Sequence, residues 1–544
     1  MAAEKKDISL TINGKPVTVP EGTPVIEAAK TAGTAIPHYC YHPALGNPGN
    51  CRLCVVEVEG MPKLQVSCRL PAAAGMVVKT ASPNALRGQQ SSLEFHLVNH
   101  PLDCPVCDQA GECGLQDYYM QVGLYASAVK EDKLHKDKRL PIGRHVMLDQ
   151  ERCILCTRCT RFTEKITQTH ELGIFNRGDR EVVELSPGKT LDDNAYSGNV
   201  VDICPVGALT DRDFRFKARV WYLKSTPSVC DGCSRGCAID IHVNTRLWHT
   251  QGERVARYKP RVNPEVNGHW MCDEGRYSYS GHDKARYGKV RRKTRDGYEA
   301  VSWPDGIGAV GTAIRQGGLE KGPGGLAVIL SGRLSNEDFY LARKLFCDEL
   351  KTGLIRFGPA PEQLGEEDAL LRRPEKVPNL AGGDALGFGP RIGDADWEGI
   401  ALAIESGKIW GLYVVDRDPA AVWGEERTKK LMAHLKVSVY QGSHENAFSP
   451  LAQWILPAAT FGEEDGTFTN FQGQVQRYHQ AMLPLGQSRS DWEIWRDLLG
   501  VFGSKLPFDT AEDVFEAIAG HEPAFKGLSW AALGPNGKKL AGKA

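Results

Sequence analysis

Fifteen of the sixteen cysteines in this 544-residue chain fall between Cys40 and Cys272, in four bursts. The first is Cys40, Cys51, Cys54 and Cys68, spaced C-x10-C-x2-C-x13-C. The second is His100, Cys104, Cys107 and Cys113, or H-x3-C-x2-C-x5-C. The third is Cys153, Cys156 and Cys159 in C-x2-C-x2-C, with a distant Cys204-Pro205. The fourth is Cys230, Cys233 and Cys237, with a distant Cys272. Fifteen cysteines and one histidine make sixteen ligands, which divide into four sets of four. The simplest chemistry that uses them all is four iron–sulfur clusters, each held by four side chains.

The rest of the composition narrows the setting. The chain is long enough for several cores. Lys+Arg number 66 against 67 Asp+Glu, which gives no support to nucleic acid or acidic lipid as a bulk partner. The start, Met1-Ala-Ala-Glu-Lys-Lys-Asp7, is polar and carries acids, unlike a secretory or transit segment. The most apolar run, Ala401–Val415, is broken by Glu405 and Lys408. A soluble chain in a reducing compartment is expected, where clustered cysteines bind metal rather than form disulfides.

Each set has a competing reading. Residues 7–19 alternate around Asn13-Gly14 as a β-hairpin, and Thr23 with Pro24 and Gly33 marks a helix. The Gly/Pro/Asn-rich loop Cys40–Cys54 then leads into an alternating strand, Val55–Val58. Zinc is the alternative for these four cysteines, but zinc sites usually pair two C-x2-C knuckles and only one is present. Residues 84–99 read as a helix ending at His100-Pro101. That histidine is either a capping or surface residue, or the fourth ligand beside three cysteines; zinc competes here too. The run Cys153–Cys159 suits three corners of a four-iron cube, and Cys204-Pro205 has no other run to serve. The fourth set is the least specific: Cys230–Cys237 lies between strand-like Trp221–Leu223 and Ile239–Val243, Cys272 follows after a long loop, and zinc stays open there.

From about residue 290 the texture becomes α/β, with buried strands at Gly325–Leu330 and Ile409–Val415 and helices at Asn336–Leu350 and Asp396–Ser406. No Walker A motif and no G-x-G-x-x-G follows a strand; Gly387-x-Gly389 reads as a turn. Cys347, inside an apolar helical pattern, reads as a buried inert thiol. The Gly/Lys-rich tail from Gly534 reads as frayed.

The bursts, in this order, resemble the family of the large iron–sulfur subunit of bacterial NADH:quinone oxidoreductase, respiratory complex I. Cys40-Tyr-His-Pro43, Asn50-Cys-Arg-Leu-Cys54 and Val56-Glu-Val-Glu-Gly60 are similar to that family's two-iron module. His100-Pro-Leu-Asp-Cys-Pro-Val-Cys-Asp-Gln-Ala-Gly-Glu-Cys113 resembles its histidine-ligated cluster, and Arg152–Cys159 with Asp202–Leu209 its next four-iron cluster. The Cys230–Cys272 set resembles the iron–sulfur domain that precedes a molybdopterin oxidoreductase fold. Leu456-Pro-Ala-Ala-Thr460, Glu464–Asn470, Gly473-Gln-Val-Gln476 and Asp491-Trp492 resemble that fold's closing segment. Where working molybdenum enzymes carry a metal ligand, this chain reads Ile355-Arg-Phe-Gly-Pro-Ala-Pro361.

The resemblance implies a multidomain α+β and α/β chain. A β-grasp two-iron ferredoxin-like domain (1–83) comes first, then a histidine-ligated four-iron domain (84–123) and a ferredoxin-like four-iron domain (140–219). A molybdopterin-oxidoreductase-type four-iron domain (223–279) and a truncated domain without metal (280–544) follow. It implies one 2Fe-2S cluster on Cys40, Cys51, Cys54 and Cys68. Three 4Fe-4S clusters would sit on His100, Cys104, Cys107 and Cys113; on Cys153, Cys156, Cys159 and Cys204; and on Cys230, Cys233, Cys237 and Cys272. No molybdenum cofactor and no catalytic residue are expected. Electrons would enter from a flavin/NADH-binding subunit at the two-iron site, pass to the Cys153 and then the His100 set, and leave toward a two-cluster ferredoxin-like subunit and quinone. A small two-iron subunit and other peripheral-arm subunits are further implied partners. The expected place is cytoplasmic, on the inner face of a bacterial membrane and attached only through the complex. The alternative is the large chain of an NAD-linked formate dehydrogenase or a hydrogenase.

Overall fold

The computed structural model describes residues 6–127, 129–246, 253–358 and 364–542. It forms two compact units, Met1–Tyr222 and Leu223–Ala544.

The first unit opens with the antiparallel strands Asp7–Ile12 and Lys15–Pro20. Asn13 (φ 49°) and Gly14 (φ 79°) both take left-handed backbone, the turn that matches the twist of a two-residue hairpin. Val77–Lys79, Val55–Val58 and Gln65–Val66 complete a five-stranded sheet. Ile8, Leu10, Ile12, Val17 and Val19 alternate inward and pack with Val25 and Ile26 of the helix Val25–Thr31. Thr23 does not cap that helix. Its hydroxyl donates to the Pro20 carbonyl at 2.7 Å, so it closes the preceding turn instead. The helix Pro83–Leu97 is capped by Ser82, whose oxygen accepts from the Ala85 N–H, a contact that contributes about 1 kcal/mol. The helices Gly114–Val122, Arg158–Lys165 and Asn199–Ile203 follow, with small sheets at Val146–Leu148/Leu209–Asp211 and Leu172–Phe175/Val182–Leu185.

The second unit begins with an antiparallel sheet of Leu223–Val229, Ala238–Asn244 and Val255–Pro260. The first strand starts only at Leu223. Trp221 and Tyr222 belong to a 3-10 turn, Val220–Tyr222, rather than to a strand. The main sheet has seven strands. Leu354–Gly358, Leu326–Ser331, Gly411–Val415, Val437–Gly442 and Trp454–Pro457 run parallel in that spatial order. Its central strands Leu326–Ser331, Gly411–Val415 and Val437–Gly442 are buried on both faces, which explains their apolar runs. Val328, Leu330, Tyr413 and Val415 enter one core, while Ala327, Ile329, Leu412 and Val414 enter the other.

Two further expectations change. The helix Asn336–Ala342 continues as a π-helix, Arg343–Glu349. The wider turn keeps Leu345 and Phe346 in the core and carries Cys347 to the surface, so that thiol is exposed, not buried. The chain end is also held in place. Lys538–Lys539 pairs with Gln474–Val475, and Leu540 is buried in the core. No described helix is long and apolar enough to cross a membrane.

Candidate iron–sulfur sites

The four thiols of the first set are all buried and converge. Cys40 is held below the usual thiol range by hydrogen bonds from Cys51 and Cys68, and Cys68 also meets Cys54. The Cys40 N–H points at the Cys51 sulfur at 3.5 Å. The loop is pinned at its carbonyls: Ser67 Oγ donates to Cys54 O and Asn47 Nδ2 to Cys68 O, each at 2.7 Å. Arg161 donates to Cys40 O, to Leu45 O at 2.9 Å and to Cys156 O at 3.4 Å, so it joins this loop to the third set's loop.

In the second set His100 follows the long helix, and its ring is half-buried. Burial, then the nearby cations Arg152 and Lys133, pull its pKa down to about 4, so the imidazole is neutral at ordinary pH. Its Nδ1 is buried with no hydrogen-bond partner. A neutral ring with an unused lone pair fits a metal ligand. Cys104 lies in a 3-10 turn and Cys113 caps the helix Gly114–Val122, whose Gln116 and Leu115 N–H groups face the Cys113 thiol. Burial pushes the Cys113 thiol up, and those N–H groups partly oppose it. Arg152 is the common neighbour: its charge reaches both His100 and Cys107, while its guanidinium bonds Asp103 at 2.8 and 3.0 Å.

The third set surrounds a small cavity walled by Cys153, Cys156, Cys159 and Cys204, with Leu148, Ile154, Val183 and Val206. Burial pushes the Cys156 and Cys204 thiols up to about 11 and Cys153 up to about 12. Such thiols ionise readily only with a cation among them, so this donor set fits iron. The Leu155 N–H faces the Cys153 sulfur at 3.4 Å, and the N–H groups of Val206, Leu209 and Ala208 face Cys204. Leu155 (φ 52°) and Thr157 (φ 62°) are left-handed, as is Arg52 (φ 57°) in the first loop. Non-glycine residues take this conformation at a cost, and here it turns successive N–H groups toward sulfur.

The fourth set walls another cavity: Cys230, Cys233, Cys237 and Cys272 with Met271, Leu371 and Lys376. Cys230 and Cys237 stand at the facing ends of two paired strands, and Cys230 N donates to Cys237 O at 2.8 Å. Gly232 N and Gly275 N face the sulfurs of Cys230 and Cys272 at 3.4 and 3.5 Å. Among the described residues no three His, Cys, Asp or Glu side chains stand at the spacing of a single metal ion. The thiols of the third and fourth sets stand around a space instead.

Several participants were not singled out from sequence. A Cβ at Gly207 would lie 2.1 Å from the Cys107 sulfur, and one at Gly275 would lie 2.8 Å from the Cys230 sulfur. Each glycine follows a ligand-type cysteine by three residues, which is the signal that could have marked it. Gly207 also shows that the Cys204-Pro205 segment runs against the second set. The Gly114 N–H, next to Cys113, donates to Pro205 O at 2.9 Å.

Family models match the regions that hold the first three sets and part of the second unit. Residues 5–83 match the 2Fe-2S iron-sulfur cluster binding domain, and 89–127 match the NADH-ubiquinone oxidoreductase-G iron-sulfur binding region. Residues 143–210 match the NADH-quinone oxidoreductase subunit 3 ferredoxin-like domain, and 394–501 the molybdopterin oxidoreductase family. Fold and site together define an iron–sulfur electron-transfer protein. The chain is 30% identical to the mitochondrial NADH dehydrogenase [ubiquinone] iron-sulfur protein 1 of Solanum tuberosum, over 92% of this chain and 81% of that one. It is 30% identical to the mitochondrial NADH-ubiquinone oxidoreductase 78 kDa subunit of Neurospora crassa, over 96% and 84%. It is 40% identical to a subunit of the NADH-quinone oxidoreductase of Streptomyces coelicolor over 67% of this chain, but spans only 42% of that longer relative. An NAD+-reducing [NiFe]-hydrogenase chain is 34% identical over 39% of this chain, with a TM-score of 0.35. The chain belongs to the family of the large iron–sulfur subunit of NADH-quinone oxidoreductase.

Proposed function

We propose that this chain holds one two-iron and three four-iron clusters on the sixteen side chains named above and relays single electrons between partner subunits. The cavity walled by Cys153, Cys156, Cys159 and Cys204 carries this reading, because a distant cysteine joins three local ones around a space closed by apolar side chains. The clusters would supply reversible one-electron storage; the chain's own residues set the conditions for it. Cysteines and His100 bind. Backbone N–H groups donate toward the thiolates, which favours the more negative, reduced state. Apolar walls exclude water. Arg152 and Arg161 place fixed positive charge beside the second set and between the first and third sets.

On the same reading the chain takes electrons from a flavin/NADH-binding subunit at the first set. It passes them toward a two-cluster ferredoxin-like subunit and quinone, at the cytoplasmic face of a membrane. Exposed apolar side chains on, between and just after the helices of the His100 region support a docking role there: Phe95, Leu102, Val106, Met120 and Tyr125. The five domains 1–83, 84–123, 140–219, 223–279 and 280–544 remain our division of the chain. We read the last as free of molybdenum. Leu354–Gly358 is a sheet strand, and residues 359–361 of the sequence-expected ligand position lie outside the described residues. The large cavity of this unit is rich in carboxylates, which does not fit a phosphorylated pterin.

Cys204→Ala tests the reading. It should remove one four-iron electron paramagnetic signal and leave the others. Loss of two signals, or of none, would mean that Cys204 is wrongly paired with the Cys153 run.

A further inference from the structure

The second unit contains a cavity of about 430 Å³ that the electron-transfer reading does not use. It lies beyond the carboxyl ends of the parallel strands. Ser331 and Arg333 come from the end of Leu326–Ser331, Asp416 from the end of Gly411–Val415, and Gly442, Ser443 and His444 from the end of Val437–Gly442. Leu326–Ser331 and Gly411–Val415 are neighbours, but the chain leaves the first for Leu354–Gly358 on one side and the second for Val437–Gly442 on the other. That divergence opens a crevice in which open α/β sheets bind ligands. The volume suits a small organic molecule and far exceeds a bare ion.

The chemistry of the walls selects the ligand's charge. Asp231, Asp338, Asp416, Glu464 and Asp491 line the cavity, and Arg333 is the one Lys or Arg among the described lining residues. Arg333 is already ion-paired with Asp231. Asp338 is satisfied by the N–H groups of Ser335 and Trp492, each at 2.8 Å, and Asp491 by the Gln441 amide. Glu464 is only partly satisfied, with the Ser490 and Tyr478 hydroxyls beside its carboxyl. Only 9% of it is exposed, its Oε1 accepts from the Tyr478 hydroxyl at 3.1 Å, and its Oε2 is buried with no partner. Burial first, then Asp338 and Asp491, hold the Glu464 carboxyl well above the usual range. A buried carboxyl oxygen without a partner is costly, and a cationic donor placed in the cavity would relieve it. Asp416 projects from a left-handed residue (φ 45°) at the strand end. Tyr258, Tyr440, Phe461 and Phe468 supply aromatic wall, the surface that accompanies carboxylates where organic ammonium groups bind.

We propose that this cavity is a binding site for a small organic polycation of the diamine or polyamine class, held between Glu464 and Asp416 against the aromatic wall. Anionic ligands, phosphorylated ones included, meet Asp416 and find no Lys or Arg among the described lining residues that is not already ion-paired.

The test is calorimetric titration of the full-length, cluster-loaded chain with spermidine as the probe, at ionic strength held constant with sodium chloride. Saturable binding near one per chain is expected, weakened at least about tenfold in Glu464→Gln and in Asp416→Asn, with iron content unchanged in both. Inorganic pyrophosphate should show no saturable binding. Absence of saturable spermidine binding would overturn the proposal. So would equal affinity in wild type and both variants, or pyrophosphate binding that either variant strengthens. Should Glu464→Gln fail to fold, Asp416→Asn, at a partly exposed position, decides alone.

Discussion

At the scale of single residues, His100 and Gly207 give the sharpest expectations. Imidazole is neutral where thiolate is an anion. His100→Cys therefore adds negative charge beside one iron and should lower that cluster's potential by roughly 100 mV in a redox titration, leaving the others in place. His100→Ala should leave a labile corner and lose iron from that cluster; unchanged potentials and iron in both variants would make His100 a loop residue only. Gly207→Ala places a methyl within 2.1 Å of the Cys107 sulfur, so Cys107 must move. The expected result is loss of about four irons, one cluster's worth. Gly308→Ala, with nothing within 4 Å of the added Cβ, should keep full iron content. Gly207 has no visible role in the sequence, because its neighbour, Cys107, is brought to it only by the fold. Leu155 and Thr157 were equally silent: nothing in either residue type announces a left-handed backbone, which the loop imposes to aim its N–H groups.

Among the elements, what could be read in advance was whatever a local pattern determines. The hairpin at Asn13-Gly14, the helix Pro83–Leu97 and the buried strands Leu326–Ser331 and Gly411–Val415 follow from turn chemistry, capping and apolar runs. The sites were legible as cysteine spacings, but the walls around each set come from residues far along the chain. Besides the 3-10 turn at Val220–Tyr222, three places differ from the local pattern because a partner or a change of pitch decides them. Thr23 finds a carbonyl in the preceding turn, Lys538–Lys539 finds the strand Gln474–Tyr478, and the π-helix Arg343–Glu349 rotates Cys347 outward. That rotation is measurable. In native, cluster-loaded chain one thiol should react with a maleimide, and Cys347→Ser should abolish the reaction. Labelling should be slow near neutral pH and quicken in alkali, because partial burial and then Asp348 raise the thiol's pKa. Fast labelling of several thiols would mean that other cysteines are free of clusters.

For the whole molecule, the two units divide the work. Met1–Tyr222 carries three of the candidate ligand sets, and Leu223–Ala544 carries the fourth beside a sheet with a carboxyl-lined crevice. Family membership makes the chain a subunit of an oxidoreductase. The central claim is that all sixteen side chains bind iron–sulfur clusters. Iron, acid-labile sulfide and zinc, measured together on one anaerobically purified sample, test it directly. One two-iron and three four-iron clusters predict about 14 irons and about 14 sulfides per chain, with zinc far below one. About 10 irons with one zinc per chain would contradict it and return the Cys230–Cys272 set to a zinc site.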